Sequence, residues 1–341
     1  MNARFIRVRA FAAALALGIA AMAQQPQGGG KLPPPPPVPA GVTAHRDLAY
    51  IAGGHERQKL DLFVPGSPAT PRPVIVWVHG GGWSGGDKSG CPPLRQGWTQ
   101  RGYAIASLNY RLSQHAVFPA QIEDCKAAIR WLRAHAGEYR LDPERFGAWG
   151  SSAGGHLVAL LGTSGGVAEF DVGGNLAMSS RVQAVMDDFG PTDFRQMDAH
   201  RIPGATLVHN SPQSPESRLV GADIGDPANA ARVARANPIT YVSTDDAPFL
   251  ILHGDQDALV PHHQSELLYE ALRASRVKVR LNIVRGGGHG AGFGEAELEI
   301  MRREFFDHHL LGIATNAARW PMSHRSSTTA ASTAGAKAAK K

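Results

Sequence analysis

Five residues carry the strongest chemical signal in the chain: Gly150-Ser151-Ser152-Ala153-Gly154. They fit G-x-S-x-G, the pattern of a serine held at a sharp strand-to-helix turn. A serine hydroxyl becomes a useful nucleophile only when a base takes its proton. At such a turn the hydroxyl is exposed, and the flanking glycines remove Cβ atoms that would clash. The helix that follows aims its positive end at charge developing beside the serine. Ser152 is the candidate nucleophile; Ser151 holds the wrong place in the pattern. A second run, His79-Gly80-Gly81-Gly82-Trp83, can turn several backbone N–H groups toward one oxygen. The expected oxyanion donors are the N–H groups of Gly81 and Gly82, joined by that of Ala153. The run does not end in Gly-Lys-Ser or Gly-Lys-Thr, which argues against a phosphate loop. His79 is expected to order this loop rather than to act as a base.

A serine of this kind needs a histidine and an acid, in the chain order serine, acid, histidine. Among the 15 histidines, His289 lies in Gly286-Gly287-Gly288-His289-Gly290, directly after the last predicted strand. His308 and His309 fall on the final helix, and His156 on the helix of the nucleophile. His253 would precede the acid. The acid is expected in the loop His253-Gly254-Asp255-Gln256-Asp257-Ala258-Leu259-Val260-Pro261. Asp257 stands farther out and is chosen, with Asp255 expected to hold the loop backbone and Asp193 a distant alternative. The acid orients the imidazole and stabilises its charged form. Trp83 and Phe293 lie beside these loops, either lining a pocket for an aromatic acyl group or packing behind it.

The elements that must position these residues alternate between strand and helix. Val74 to Val78 is continuously apolar and β-branched, as in a strand buried on both faces. Further strands are expected at 60–64, 103–108, 145–149, 182–186, 249–252 and 277–283. Ile122, Cys125, Ile129, Leu132 and Ala136 recur at helical spacing, and helices are also expected at 153–161, 265–273 and 298–310. Alternation of this kind predicts an α/β fold: a mostly parallel sheet covered on both faces. Residues 191–239 break the rhythm with scattered Pro and Gly and are expected to form a small lid insertion.

Charge is concentrated at the ends. Of the net +6, three positive charges lie in residues 1–23 and five in 314–341, neither with an acid, which leaves the intervening chain slightly negative. The body therefore offers no electrostatic case for nucleic acid. Residues 1–23 read as a cleaved export signal: Arg4, Arg7 and Arg9, an apolar run from Phe11 to Met22, then Ala21-Met22-Ala23. The run is short for a membrane span, so no stable anchor is expected, and the protein is expected to be secreted or periplasmic. Residues 24–44 read as a Gly/Pro-rich linker, 45–313 as the catalytic domain and 314–341 as a disordered basic tail. Cys91 and Cys125 are too few for a metal site. Their pairing as a disulfide stays open, as does the oligomeric state.

Taken together, HGGGW, GSSAGG, HGDQDALVP and GGGHG, in this order, resemble the hormone-sensitive-lipase-like carboxylesterases. The likeness is closest to the bacterial feruloyl and acetyl-xylan esterase (BD-FAE-like) group, and it spans roughly residues 45 to 312. It implies the α/β-hydrolase fold, a triad of Ser152, Asp257 and His289, and an oxyanion hole at Gly81, Gly82 and Ala153. It favours Asp257 over Asp255. It implies hydrolysis of small or polymer-borne esters of short-chain or aromatic acids, with no cofactor. Only a short segment precedes HGGGW, a departure from lipase-like members with a longer N-terminal cap, which speaks against long-chain lipid substrates.

Overall fold

A computed structural model describes residues 37–66 and 70–315. The residues read as an export signal, most of those read as a linker and nearly all of those read as a basic tail lie outside the described residues.

Among the described residues, eight strands form one sheet: β1 (Val42–Ala49), β2 (Lys59–Pro65), β3 (Arg72–Val78), β4 (Ala104–Leu108), β5 (Leu141–Ser151), β6 (Ala184–Asp188), β7 (Phe249–Gly254) and β8 (Val279–Val284), in the order β1-β2-β4-β3-β5-β6-β7-β8. The pairs β1/β2 and β2/β4 are antiparallel, and every pair from β4/β3 to β7/β8 is parallel. This is the mostly parallel sheet that the strand–helix alternation predicts.

The helices are α1 (Pro92–Arg95), α2 (Ala120–Ala134), α3 (Ala136–Tyr139), α4 (Ala153–Thr163), α5 (Pro215–Val220), α6 (Ala230–Ala236), α7 (His263–Ala274) and α8 (Ala296–Leu311). Alternate residues of a strand face opposite sides, and β3 shows what that does here. Val74, Val76 and Val78 enter one apolar layer with Ile129 of α2, Leu157 of α4 and Leu268 of α7. Ile75 and Trp77 enter the other, with Trp98, Trp149 and Phe306 of α8. A strand with a full layer on each face has no room for a polar position, which is why its sequence reads as one apolar run.

Three local features bear on the sequence reading, two of them as corrections. The linker was expected to run to residue 44, but Val42 already opens β1. This strand sits at the sheet edge with one neighbour, so His45, Arg46 and Asp47 are tolerated in it and no apolar run announces it. The apolar stripe ending at Ala136 does not belong to one helix: α2 stops at Ala134, and Ala136 begins α3. Residues 191–239 are an ordered layer of short helices, with Phe194, Met197, Leu219, Ile224 and Val233 fully buried in the larger core. The cysteines are both free and both buried, Cys91 in one apolar layer and Cys125 in the other. The sheet lies between those layers, and the question of a disulfide is thereby closed.

Candidate active site

The sharp turn at the end of β5 sets the geometry. Ser152 has φ 56° and ψ −123°, a left-handed φ that a side chain adopts only under constraint. The constraint is visible on both sides. The Ser152 N–H donates to Asp188 O at the end of β6 (2.9 Å), and Ser152 O accepts from the His156 N–H in the first turn of α4 (3.0 Å). A Cβ on Gly154 would lie 2.1 Å from Val78 O, so α4 can start this close to β3 only with glycine there.

His289 and Asp257 arrive from the ends of β8 and β7, the two strands beyond β6. Such crevices outside the carboxyl ends of parallel strands are where α/β folds place ligands. His289 Nε2 is 2.9 Å from Ser152 Oγ, and His289 Nδ1 is 2.7 Å from Asp257 Oδ2. A carboxylate oxygen can only accept, so Nδ1 carries the hydrogen and Nε2 is left to take the serine proton. Asp257 is almost fully buried. Its other oxygen, Oδ1, accepts from the N–H groups of Leu259 (2.8 Å) and Val260 (2.9 Å). His253 Nε2 stands 3.4 Å from Oδ2. Burial pushes this carboxyl up, but hydrogen bonds from His253 and His289 outweigh it and hold Asp257 well below the ordinary carboxylate range.

The loops that carry the acid and the base are fastened together. Asp255 Oδ1 accepts from the Gly286 N–H (2.7 Å), and the Gln256 N–H donates to Gly287 O (2.8 Å). Asp255 thus holds backbone, as the sequence reading proposes. Asp193 stays away from His289 and accepts from the Arg195 N–H and from Gln196.

Gly81, Gly82 and Trp83 all have positive φ (113°, 54° and 54°), which folds the His79–Trp83 run into a tight loop against the nucleophile. A Cβ on the neighbouring Gly80 would lie 3.2 Å from Ser152 Cβ. Neither the Gly81 nor the Gly82 N–H has a backbone acceptor among the described residues. With the Ala153 N–H at the start of α4, these are the donors that the sequence reading expects for an oxyanion beside Ser152.

The two aromatic candidates are packed rather than open. Trp83 is 2% exposed, its indole N–H donating to His156 Nδ1 (3.2 Å) and its ring meeting Phe194 edge-on. His156 Nε2 in turn donates to Ala236 O (2.6 Å), so it ties the glycine loop and α4 to the segment 191–239. Phe293, also buried, packs on Phe189. The aromatic ring against the base is Phe189 itself, 4.6 Å from the His289 ring and held at φ 49°. It went unnoticed in the sequence because its position depends on a backbone turn after β6 that no residue pattern marks. Pro215 of α5 lies beside Gly82: a Cβ there would be 3.6 Å from Pro215 Cβ. The segment 191–239 therefore reaches the oxyanion loop.

The chain matches the BD-FAE family over residues 60–272. It is 34% identical over 204 residues to LipM of Mycobacterium tuberculosis, a probable carboxylic ester hydrolase, across 59% of this chain and 45% of LipM. A truncated form of a carbohydrate esterase from gut microbiota superposes with a TM-score of 0.72 at 32% identity, covering 79% of this chain and 96% of that one. The bifunctional GH43-CE protein of Bacteroides eggerthii superposes with a TM-score of 0.71 at 34% identity, covering 78% of this chain and 35% of that one. The chain spans about half the length of the curated relatives it matches. With the family matched across most of the sheet and its helices, this chain belongs to the BD-FAE family and has the α/β-hydrolase fold.

Proposed function

We propose that the protein is a serine carboxylic-ester hydrolase that works through an acyl-enzyme. The observation that carries this reading is the unbroken hydrogen-bonded line Ser152 Oγ–His289–Asp257. His289 Nε2 takes the Ser152 proton as the hydroxyl oxygen attacks the ester carbonyl. The negative charge that appears on the carbonyl oxygen is met by the N–H groups of Gly81, Gly82 and Ala153. When the carbon–oxygen bond of the alcohol breaks, His289 returns the proton to the leaving alcohol. Water then repeats the sequence on the acyl-serine, releasing the acid and restoring Ser152. Asp257 keeps its charge throughout and holds the imidazole tautomer that the reaction requires.

The substrates are esters of short-chain or small aromatic acids, free or borne on a polymer. Similarity to a carbohydrate esterase supports a sugar-borne ester, and the aromatic pair Phe189–Phe293 beside His289 supports an acyl group of limited size. The export signal read in residues 1–23 would place the reaction outside the cytoplasm.

The test is a substrate panel on wild type and Ser152→Ala: p-nitrophenyl acetate, butyrate and palmitate, methyl ferulate, acetylated xylan and a prolyl amide. Short esters are expected to be hydrolysed by wild type and not by Ser152→Ala. Turnover confined to palmitate or to the prolyl amide would replace this reading with a lipase or a peptidase.

A further inference from the structure

Arg57 lies in the turn between β1 and β2, well before either glycine motif, and its guanidinium gathers the oxyanion loop. Its Nη2 is 3.0 Å from Gly86 O, 3.2 Å from His79 Nε2 and 3.2 Å from Asn109 Oδ1, while Nε donates to Tyr110 O (2.9 Å). One nitrogen thus holds residues near the two ends of the loop 79–86. The buried His79 ring is stacked on Tyr110 (4.5 Å between centroids, 19° between planes), whose hydroxyl donates to His79 O.

These contacts decide the tautomer of His79. Arginine has only donors, so the Nε2 that faces it carries no hydrogen and accepts. The hydrogen is then on Nδ1, which donates to Gly80 O at 2.7 Å. That carbonyl belongs to the same planar peptide as the Gly81 N–H. The bond is trans, so carbonyl and N–H point in opposite directions. Fixing one end of this peptide fixes the other.

We infer that Arg57 is a positioning residue for catalysis: through His79 it locks the Gly80–Gly81 peptide plane and so aims the Gly81 N–H at the oxyanion. The inference rests on the proposed serine-esterase reading of the site. Because the donor matters most when charge develops in the transition state, losing its aim lowers kcat more than it raises KM. Deleting one such donor outright typically costs about 10²–10³-fold, which bounds the effect of misaiming it.

The test is a double-mutant cycle on p-nitrophenyl acetate hydrolysis, with folding followed by circular dichroism and Tm. Arg57→Ala is expected to lower kcat roughly 10- to 100-fold with KM changed less than about threefold. His79→Ala is expected to do the same, and the double variant to be little worse than either single. His79→Asn, which keeps a donor near the Nδ1 position, is expected to recover part of kcat. Should Arg57→Ala fail to fold, Arg57→Lys replaces it, with an expected loss of a few-fold. A folded Arg57 variant with wild-type kcat, or effects that simply multiply in the double variant, would overturn the positioning role while leaving the esterase reading intact. Wild-type protein without Ser152-dependent turnover would overturn both.

Discussion

Asp257 has spent every acceptor position that its surroundings can reach: Oδ1 takes two backbone N–H groups, and Oδ2 takes His289 and lies beside His253. An amide in its place must point its NH2 at a donor whichever way it turns. If it faces His289, the imidazole has to move its hydrogen to Nε2 and can no longer accept from Ser152. Asp257→Asn is therefore expected to lower kcat about 10³–10⁴-fold in a protein that still folds. A loss of less than tenfold would remove the orienting role. At this scale the sequence was readable where residue type itself carries the chemistry. Ser152, Asp257 and His289 each follow a strand in a fixed order, and His79 was already read as an ordering residue. Arg57 and Phe189 were not readable. Arg57 is held beside His79 largely by the carbonyls of Gly86 and Tyr110, which would be the same whatever side chains stood there. Phe189 depends on a backbone turn.

Between elements, the tightest contact is where α4 begins against the end of β3. Gly154→Ala would drive a Cβ to 2.1 Å from Val78 O and 2.7 Å from His79 O, both backbone atoms that no rotamer change can move. We expect a marked fall in Tm, beyond the ~1–3 kcal/mol usual for overpacking, and loss of esterase activity, since the shift is passed to Ser152 and the oxyanion loop together. Gly137→Ala is the matched control: it lies in α3 with nothing within 4 Å of the added methyl, and should be neutral or slightly stabilising. Equal Tm values for the two variants would contradict this packing. The elements legible in the sequence are those with an unbroken apolar run, as in β3, or a regular apolar spacing, as in α2 and in Val279, Leu281 and Ile283 of edge strand β8. Edge strand β1 and the segment 191–239 were less legible. The first needs only one partner, and the second buries apolar residues singly, among polar ones that face out.

The molecule as a whole carries buried groups whose proton affinities oppose one another. Burial lowers His79, His156 and His309 to about 4, whereas the unfolded chain protonates them near 6.5. Between those values the unfolded state holds more protons, so stability falls as pH drops through that window. Asp187, raised by burial to about 7, acts in reverse: its folded form keeps a proton that the unfolded chain releases near 3.8. Its stabilising contribution is present at low pH and lost as pH rises toward 7. Asp187→Asn removes the opposing group and keeps an acceptor for the Gly190 N–H. The difference in Tm between pH 7.5 and pH 5 is expected to widen by several degrees relative to wild type. An unchanged difference would mean that Asp187 is ionised in the folded protein at both values.

The two cysteines gain a different meaning on this scale. One thiol sits in each apolar layer, and the sheet between them serves as a partition. Assembly of the fold asks nothing of an oxidant, so the chain can mature equally well in a reducing or an oxidising medium. Each sulfur is also a private label for its own layer: a thiol reagent reaches it only when that layer has opened.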